Sequence, residues 1–256
     1  MVPLRLILIP ALFGLMSIPL VGFGQAFVVG DRGLTVNNTN IKDDDPSAGG
    51  ADLTAGDSIS FQGDITVVGA EGVFIDPVLS GLSFTVEASS SIQTSGLGFT
   101  EGILIGLASS FDGTLTNLGN VQSASNLGIV FGGDLNGVFV NDGTVEGFAP
   151  AGVLVNGALN GRFENSGTIR GVGPSAVVIL DSVSISGVFI NSNTITGAFD
   201  GVRVGGNFSG SFENTGTITG QLEDGVDIDD NLGGTFVNRG TINGFVDGSF
   251  VNYDVS

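Results

Sequence analysis

The side chains of this 256-residue chain that are equipped for chemistry are almost all carboxylates and hydroxyls: it has 26 Asp and Glu, 7 Lys and Arg, and no Cys, His or Trp. That inventory leaves no thiol nucleophile, no imidazole base and no Cys/His zinc site. Paired carboxylates remain, and such a pair hydrolyses glycosidic bonds when one member acts as acid and the other as base or nucleophile. Glu164 and Glu213 are the pair to weigh, because both sit in a Phe-Glu-Asn segment. Clustered oxygens that hold a hard cation such as Ca²⁺ are a second option. Asp224, Asp227, Asp229, Asp230 and Asn231 form the densest cluster, with Asp227, Asp229 and Asp230 as its candidate metal ligands. Ranked hydroxyls are the third, carried by Thr194-Ile195-Thr196 and Thr217-Ile218-Thr219.

What would position these groups is a repeat, which dominates the second half of the chain. Phe139-Val140-Asn141-Asp142-Gly143-Thr144-Val145 recurs as Phe163 to Ile169, Phe189 to Ile195, Phe212 to Ile218 and Phe236 to Ile242. The pattern is Phe-x-Asn-x-Gly-Thr-Ile, and its asparagines, Asn141, Asn165, Asn191, Asn214 and Asn238, follow one another at nearly constant steps of about two dozen positions. A weaker copy, Leu115 to Val121, places Asn117 one such step before Asn141. A third short apolar element follows each copy, as in Gly152-Val153-Leu154-Val155 and Ala176-Val177-Val178-Ile179. Three strand-like pieces separated by Gly, Asn or Asp turns in about two dozen residues match one coil of a β-helix. A propeller blade needs roughly 40 residues. The sequence therefore predicts an all-β, right-handed, single-stranded parallel β-helix.

Side chains two apart on a strand share a face, so Phe163 and Asn165 point inward and Glu164 points outward. Stacked coils then place Phe139, Phe163, Phe189, Phe212 and Phe236 over one another. Asn117, Asn141, Asn165, Asn191, Asn214 and Asn238 form a second file at the turn. An inward Asn is tolerable only if its amide bonds to the Asn above and below, because an unpaired buried amide costs roughly 2 to 7 kcal/mol. No single coil buries enough apolar surface to offset the ordering of its backbone, so each layer depends on its neighbours.

In that frame the chemical groups have plainer readings. Glu164 and Glu213 fall in one outward slot two coils apart, about 9 to 10 Å, near the spacing of an inverting hydrolase. Ile190 lies between them, and surface carboxylates are the expectation. The aspartate cluster matches neither an EF-hand loop nor the Gly-Gly-x-Gly-x-Asp calcium repeat, so an acidic turn beside Arg203 is expected instead. Arg203 with Asp227, and Glu146 with Arg170, share outward slots in adjacent coils and should form surface ion pairs worth about 0 to 1 kcal/mol. Thr144, Thr168, Thr194, Thr217 and Thr241 make one column of an ice-binding type of face. The column beside it reads Glu146, Arg170, Thr196, Thr219 and Asn243, which breaks the array, so ordinary outward strand threonines are expected. Leu104, Val130, Leu154 and Val178 form a nonpolar outward stripe that either docks a partner or is covered by a loop.

The repeat decays toward the N-terminus. Ser60-Phe61-Gln62-Gly63-Asp64-Ile65 and Ser91-Ile92-Gln93 fit its Thr-Ile element at somewhat wider spacings than the later copies. Residues 1–26 read as a signal peptide: Arg5 precedes the apolar run Leu6 to Val21, and Gly24-Gln25-Ala26 supplies small residues for cleavage. Residues 27–56 read as an N-terminal cap or loop, 57–251 as the β-helix, and 252–256 as the truncated end of a coil. Because the last coil is unfinished, the sequence reads as a fragment or as a chain continued by another. A net charge of −19 with so few basic residues argues against nucleic acid as a partner.

Phe-x-Asn-x-Gly-Thr-Ile-x-Gly repeats after a signal peptide, in a Cys-free, Gly-rich acidic chain, resemble the passenger region of bacterial autotransporters over roughly residues 57–251. The resemblance implies export and display on or release from the outer membrane, as an adhesin, scaffold or enzyme stalk; the scarcity of catalytic side chains adds the expectation of no enzymatic activity and no cofactor. The resemblance further implies adhesion to a glycan or protein of a host or cell surface. Passengers of that family are threaded through a barrel. The short strand pieces here do not suit membrane strands of about ten residues, so a separate outer-membrane translocator is expected. The reading that competes is a carbohydrate-active β-helix enzyme, a polysaccharide lyase or hydrolase; a remote one is ice binding.

Overall fold

The computed structural model describes residues 26–29, 34–37, 40–43 and 58–245, the last stretch without 70, 76–80, 98–99, 107–109 and 180–184. All but the last residue of the signal-peptide expectation for 1–26, most of the cap expectation for 27–56, the last residues of the β-helix expectation for 57–251 and the coil end at 252–256 fall outside these residues. The described chain is a parallel β-solenoid with three short strands to a turn and coils of about two dozen residues. One coil consists of Val138–Asn141, Thr144–Gly147 and Ala151–Val155, after which Arg162–Asn165 begins the next.

Strands pair in parallel with their equivalents in the neighbouring coils, building three long sheets of nine, eight and nine strands among the described residues. The register follows the repeat residue for residue: Phe139 pairs with Phe163, Asn141 with Asn165, Thr144 with Thr168 and Val153 with Val177. The irregular early coils join the same ladders, with Ile65 beside Ile92 and Ile92 beside Val121. At the N-terminal end Ala26–Val29 pairs with Ser58–Phe61, and Leu34–Asn37 pairs with Val73–Ile75. Leu34–Asn37 also forms the one antiparallel pairing among the described residues, with Asn40–Asp43, so part of the cap region is built into the sheets.

Alternation along the first two strands is clean. Val138–Asn141 and Thr168–Gly171 bury every second residue, because one face lines a narrow interior and the other meets solvent. The interior is one continuous column of Ile, Val, Leu and Phe running the length of the solenoid. Its aromatic part tightens toward the C-terminal coils: ring centroids are 4.9 Å apart for Phe139 and Phe163, but 4.7, 4.6 and 4.5 Å for the next three steps up to Phe236. Those last three pairs are stacked, with interplanar angles of 10°, 6° and 6°, whereas the first is edge-on at 63°.

The three-piece reading of the repeat omits a fourth inward position. Phe111, Leu135 and Leu159 form bridges from coil to coil, as do Ile185, Phe208 and Leu232, each four residues before the Phe or Leu of the first strand. Between bridge and strand stands a glycine at which the chain turns against the coil before it. A Cβ on Gly161 would lie 1.9 Å from the Gly137 carbonyl oxygen, and one on Gly137 would lie 2.0 Å from that of Gly113. Only hydrogen fits there.

Candidate functional site

The buried polar feature of the solenoid is the asparagine file. From each of five asparagines Nδ2 donates to Oδ1 of the next: Asn117 to Asn141 at 2.8 Å, Asn141 to Asn165 at 2.7 Å, then Asn165 to Asn191, Asn191 to Asn214 and Asn214 to Asn238, each at 2.8 Å. The same amides also reach the carbonyl two residues on, for example Asn165 to Gly167 at 3.1 Å and Asn191 to Asn193 at 3.0 Å. Asn117 through Asn214 are fully buried. Every amide dipole in the file points the same way, toward the C-terminal coils. The backbone amides of the turn point the other way, as where the Ser166 and Gly167 N–H groups donate to the Asn141 carbonyl. Below Asn117 the slot passes to Val86 and Phe61, so the file stops where apolar residues take over. This column orders the turn between the first and second strands, and its buried amides are spent on one another and on the carbonyls of the turn.

The carboxylates considered for catalysis do not meet. Glu164 and Glu213 occupy one outward slot with Ile190 between them. Glu164 accepts from Arg162 Nε at 2.9 Å on its own strand, and Glu213 accepts from Arg239 in the coil above. Both are at least a third exposed. Each is thus held by a guanidinium instead of being poised against a second carboxyl.

The aspartate cluster is organised around a cation that belongs to the protein. Arg203 Nη2 lies 3.1 Å from Asp229, and its Nε lies 3.6 Å from Asp227, the residue beside it in register. Burial pushes the Asp227 carboxyl up to about 6, helped by the negative charges of Asp229 and Asp200 and opposed by Arg203. Asp229 and Asp230 are exposed. Among the described residues no group of three or more carboxylates is arranged to hold a metal ion, Asp227, Asp229 and Asp230 included. The other expected pair, Arg170 with Glu146, is closed at 3.0 Å, and Gln122 donates to the same carboxylate at 3.1 Å.

The threonine column Thr144, Thr168, Thr194, Thr217 and Thr241 lies in register, and the column beside it reads Glu146, Arg170, Thr196, Thr219 and Asn243. The nonpolar stripe is not open: Leu104, Val130, Leu154 and Val178 are 8% exposed or less and form, with Leu127 and Ala151, a second apolar cluster outside the main column. Of the two alternatives for that stripe, the chain itself covers it. Beyond Val178 the slot turns polar, at Arg203 and then Asp227.

Glu101 has no counterpart in the sequence-based expectations. It lies in the turn before the strand Ile103–Ile105 and is 6% exposed. Its Oε1 accepts from Asn126 Nδ2 at 2.9 Å, and its Oε2 has no hydrogen-bond partner. Burial raises its pKa first, and the nearby charge of Glu71 raises it further. The sequence signal was faint: a lone Glu before a Gly-Ile-Leu-Ile strand, where later coils carry Leu127, Ala151 and Ser175.

The fold and these slots define a class, a parallel β-solenoid stabilised by an internal amide ladder. Set against known proteins, no family model, no curated protein and no solved structure matches the chain.

Proposed function

We propose that this chain is a non-catalytic, exported β-solenoid scaffold of the kind displayed by autotransporter passengers. It works by extended contact with a glycan or protein of a host or cell surface. The observation that carries the reading is where the outward carboxylates of the first and second strands are spent: Glu164, Glu213 and Glu146 are each in contact with an arginine of the same solenoid, and none has a carboxylate beside it in register. A general acid needs a raised pKa and a partner carboxylate at a defined distance. An arginine clamp works against the first requirement. The repeat pattern Phe-x-Asn-x-Gly-Thr-Ile and the sequence features of residues 1–26 support export through a signal peptide, with display completed by a separate translocator.

Two measurements on the purified chain test this reading. Incubation with a panel of acidic and neutral polysaccharides should release neither reducing ends nor unsaturated uronates, and the chain coated on beads should retain them on cell layers. Sugar release that disappears in Glu164→Gln or Glu213→Gln would replace the scaffold reading with the enzymatic one. Thermal hysteresis abolished by Thr217→Tyr would replace it with ice binding.

A further inference from the structure

Among the described residues the exposed large apolar side chains are Val68, Leu97, Phe148, Phe199, Leu222 and Phe245, with exposures from 39% at Phe199 to 95% at Leu97. All six lie at one corner of the solenoid, at the end of the second strand of a coil or in the turn that leads to the third. Val68 closes Asp64–Val68, Leu97 follows Ser91–Ser95, Phe148 follows Thr144–Gly147, Phe199 precedes Asp200–Val204, Leu222 follows Thr217–Gly220 and Phe245 follows Thr241–Asn243. The corner between the first and second strands carries Asp142, Ser166, Ser192, Thr215 and Arg239 at the equivalent turn. Large apolar side chains gathered along one edge, and not scattered, are the feature that marks a candidate interaction surface.

The charge of that edge selects the occupant. The turns of this corner present Glu71, Glu223 and Asp224 at or near the surface, besides the buried Glu101, and contain no Lys or Arg among the described residues. The four basic residues of the chain between positions 58 and 245, Arg162, Arg170, Arg203 and Arg239, sit on strands or at the other corner and are paired with carboxylates. With a net charge of −19, a second copy of the chain, an anionic polysaccharide and an anionic membrane are all repelled. A cationic partner is drawn in.

The spacing selects its shape. From Phe148 to Phe245 the corner climbs four coils, about 4.8 Å per step or roughly 19 Å in all, and three of the four coils above Phe148 repeat the exposed apolar side chain, the coil of Thr168–Gly171 presenting Val172 and Pro174 instead. A helix brings an apolar side chain back to one face about every 5.4 Å, close enough to stay in step over that distance. An extended strand repeats its face about every 6.6 Å and loses register within two coils. We infer that the corner marked by Phe148, Phe199, Leu222 and Phe245 docks the apolar face of a cationic amphipathic helix from a partner protein. This rests on the extended-contact reading above and gives it a partner chemistry.

The test uses the whole purified chain and three labelled 14-residue peptides: a Leu/Lys amphipathic helix, a scrambled version with the same composition but no apolar face, and a Leu/Glu helix. Binding is read by fluorescence anisotropy at low and at physiological salt. The Leu/Lys helix should bind, the scramble at least tenfold more weakly and the Leu/Glu helix not at all. Phe148→Ser/Phe199→Ser/Leu222→Ser keeps every charge and alters only exposed side chains, with folding checked by its urea midpoint. It should lose at least tenfold in affinity, while the control Val140→Ser/Ile190→Ser on the first sheet should not. Equal binding of the scramble, or of the triple variant, would show charge adsorption alone and overturn the inference. So would a neutral oligosaccharide that binds in a manner dependent on Phe148, or triple-variant-sensitive self-association in sedimentation. Because the assay contains no cells or polysaccharide substrate, it can fail while the scaffold reading stands, and the reverse.

Discussion

Asn165 and Asn191, 26 residues apart in sequence, are joined by a 2.8 Å bond from the Nδ2 of the first to the Oδ1 of the second, with neither side chain reached by solvent. The coil between them is longer than either neighbouring coil, and the extra length is absorbed outside the ladder. The chain thus fixes the amide contact and lets the loop vary, which orders the energetic importance of its parts.

Removal of an interior rung should cost more than removal of the bottom one. Asn165→Val takes the acceptor from the buried Asn141 amide and the donor from the buried Asn191 Oδ1, whereas Asn117→Val takes the donor from one buried amide oxygen, Asn141 Oδ1, its other losses being the half-buried Gly119 N–H and a second bond to the Thr144 carbonyl. An unsatisfied buried polar atom costs about 1 to 3 kcal/mol. Urea unfolding should show Asn165→Val destabilised by about 2 to 5 kcal/mol and Asn117→Val by about half of that. Val86 already occupies the slot below Asn117, so the smaller effect has a precedent in the protein itself.

Phe189 is sandwiched between Phe163 at 4.7 Å and Phe212 at 4.6 Å. Phe189→Ala should cost about 3 to 5 kcal/mol, the range for emptying an aromatic site in a core. Phe189→Leu should be much milder, since Leu115 holds the equivalent place beneath Phe139. Equal losses for the two variants would contradict a packing origin.

Glycine matters here by proximity more than by conformation. Gly161→Ala would bring a Cβ to 1.9 Å from a backbone oxygen and should unfold the chain or lower its urea midpoint severely. Gly233→Ala, whose nearest neighbour is the Phe208 carbonyl oxygen at 3.8 Å, should leave the midpoint nearly unchanged.

Acid should stabilise this protein locally, opposite to the usual carboxylate behaviour. Asp227 is raised from 3.8 to about 6 in the folded state, so the folded chain binds that proton more tightly than the unfolded chain does. Its contribution is fully present below about pH 4 and is lost as the pH rises through about 6. Glu101 acts in the same direction. Chemical denaturation at pH 4, 5, 6 and 7 should show stability falling across this window, and Asp227→Asn should flatten the fall. A slope unchanged by Asp227→Asn would assign the effect elsewhere.

Much of the fold was legible because the repeat is nearly identical from coil to coil. Phe, Asn, Gly and Thr recur at fixed offsets, so the inward files, the parallel register and the coil length of about two dozen residues follow from spacing alone. The fourth bridge position was legible in principle, as an apolar residue four before each first-strand Phe or Leu, but its isolation among Asp, Asn, Ser and Gly hid it among turn residues. The candidate site was less legible. That Glu164 and Glu213 share a slot follows from the repeat. That Arg162 and Arg239 hold them does not, because long outward side chains reach along their own strand or across a coil according to rotamer and local packing.

The sequence by itself therefore determined a stacked architecture and the identity of its internal ladders, since inward side chains have one place to go. Tertiary structure alone decided the outer surface: that Leu104, Val130, Leu154 and Val178 are covered, that Glu101 is buried with one oxygen unpaired, and that the six large apolar side chains exposed among the described residues gather on a single corner. The physical reason is that an interior position is defined by periodicity, whereas exposure depends on turns of unequal length and on what they fold over.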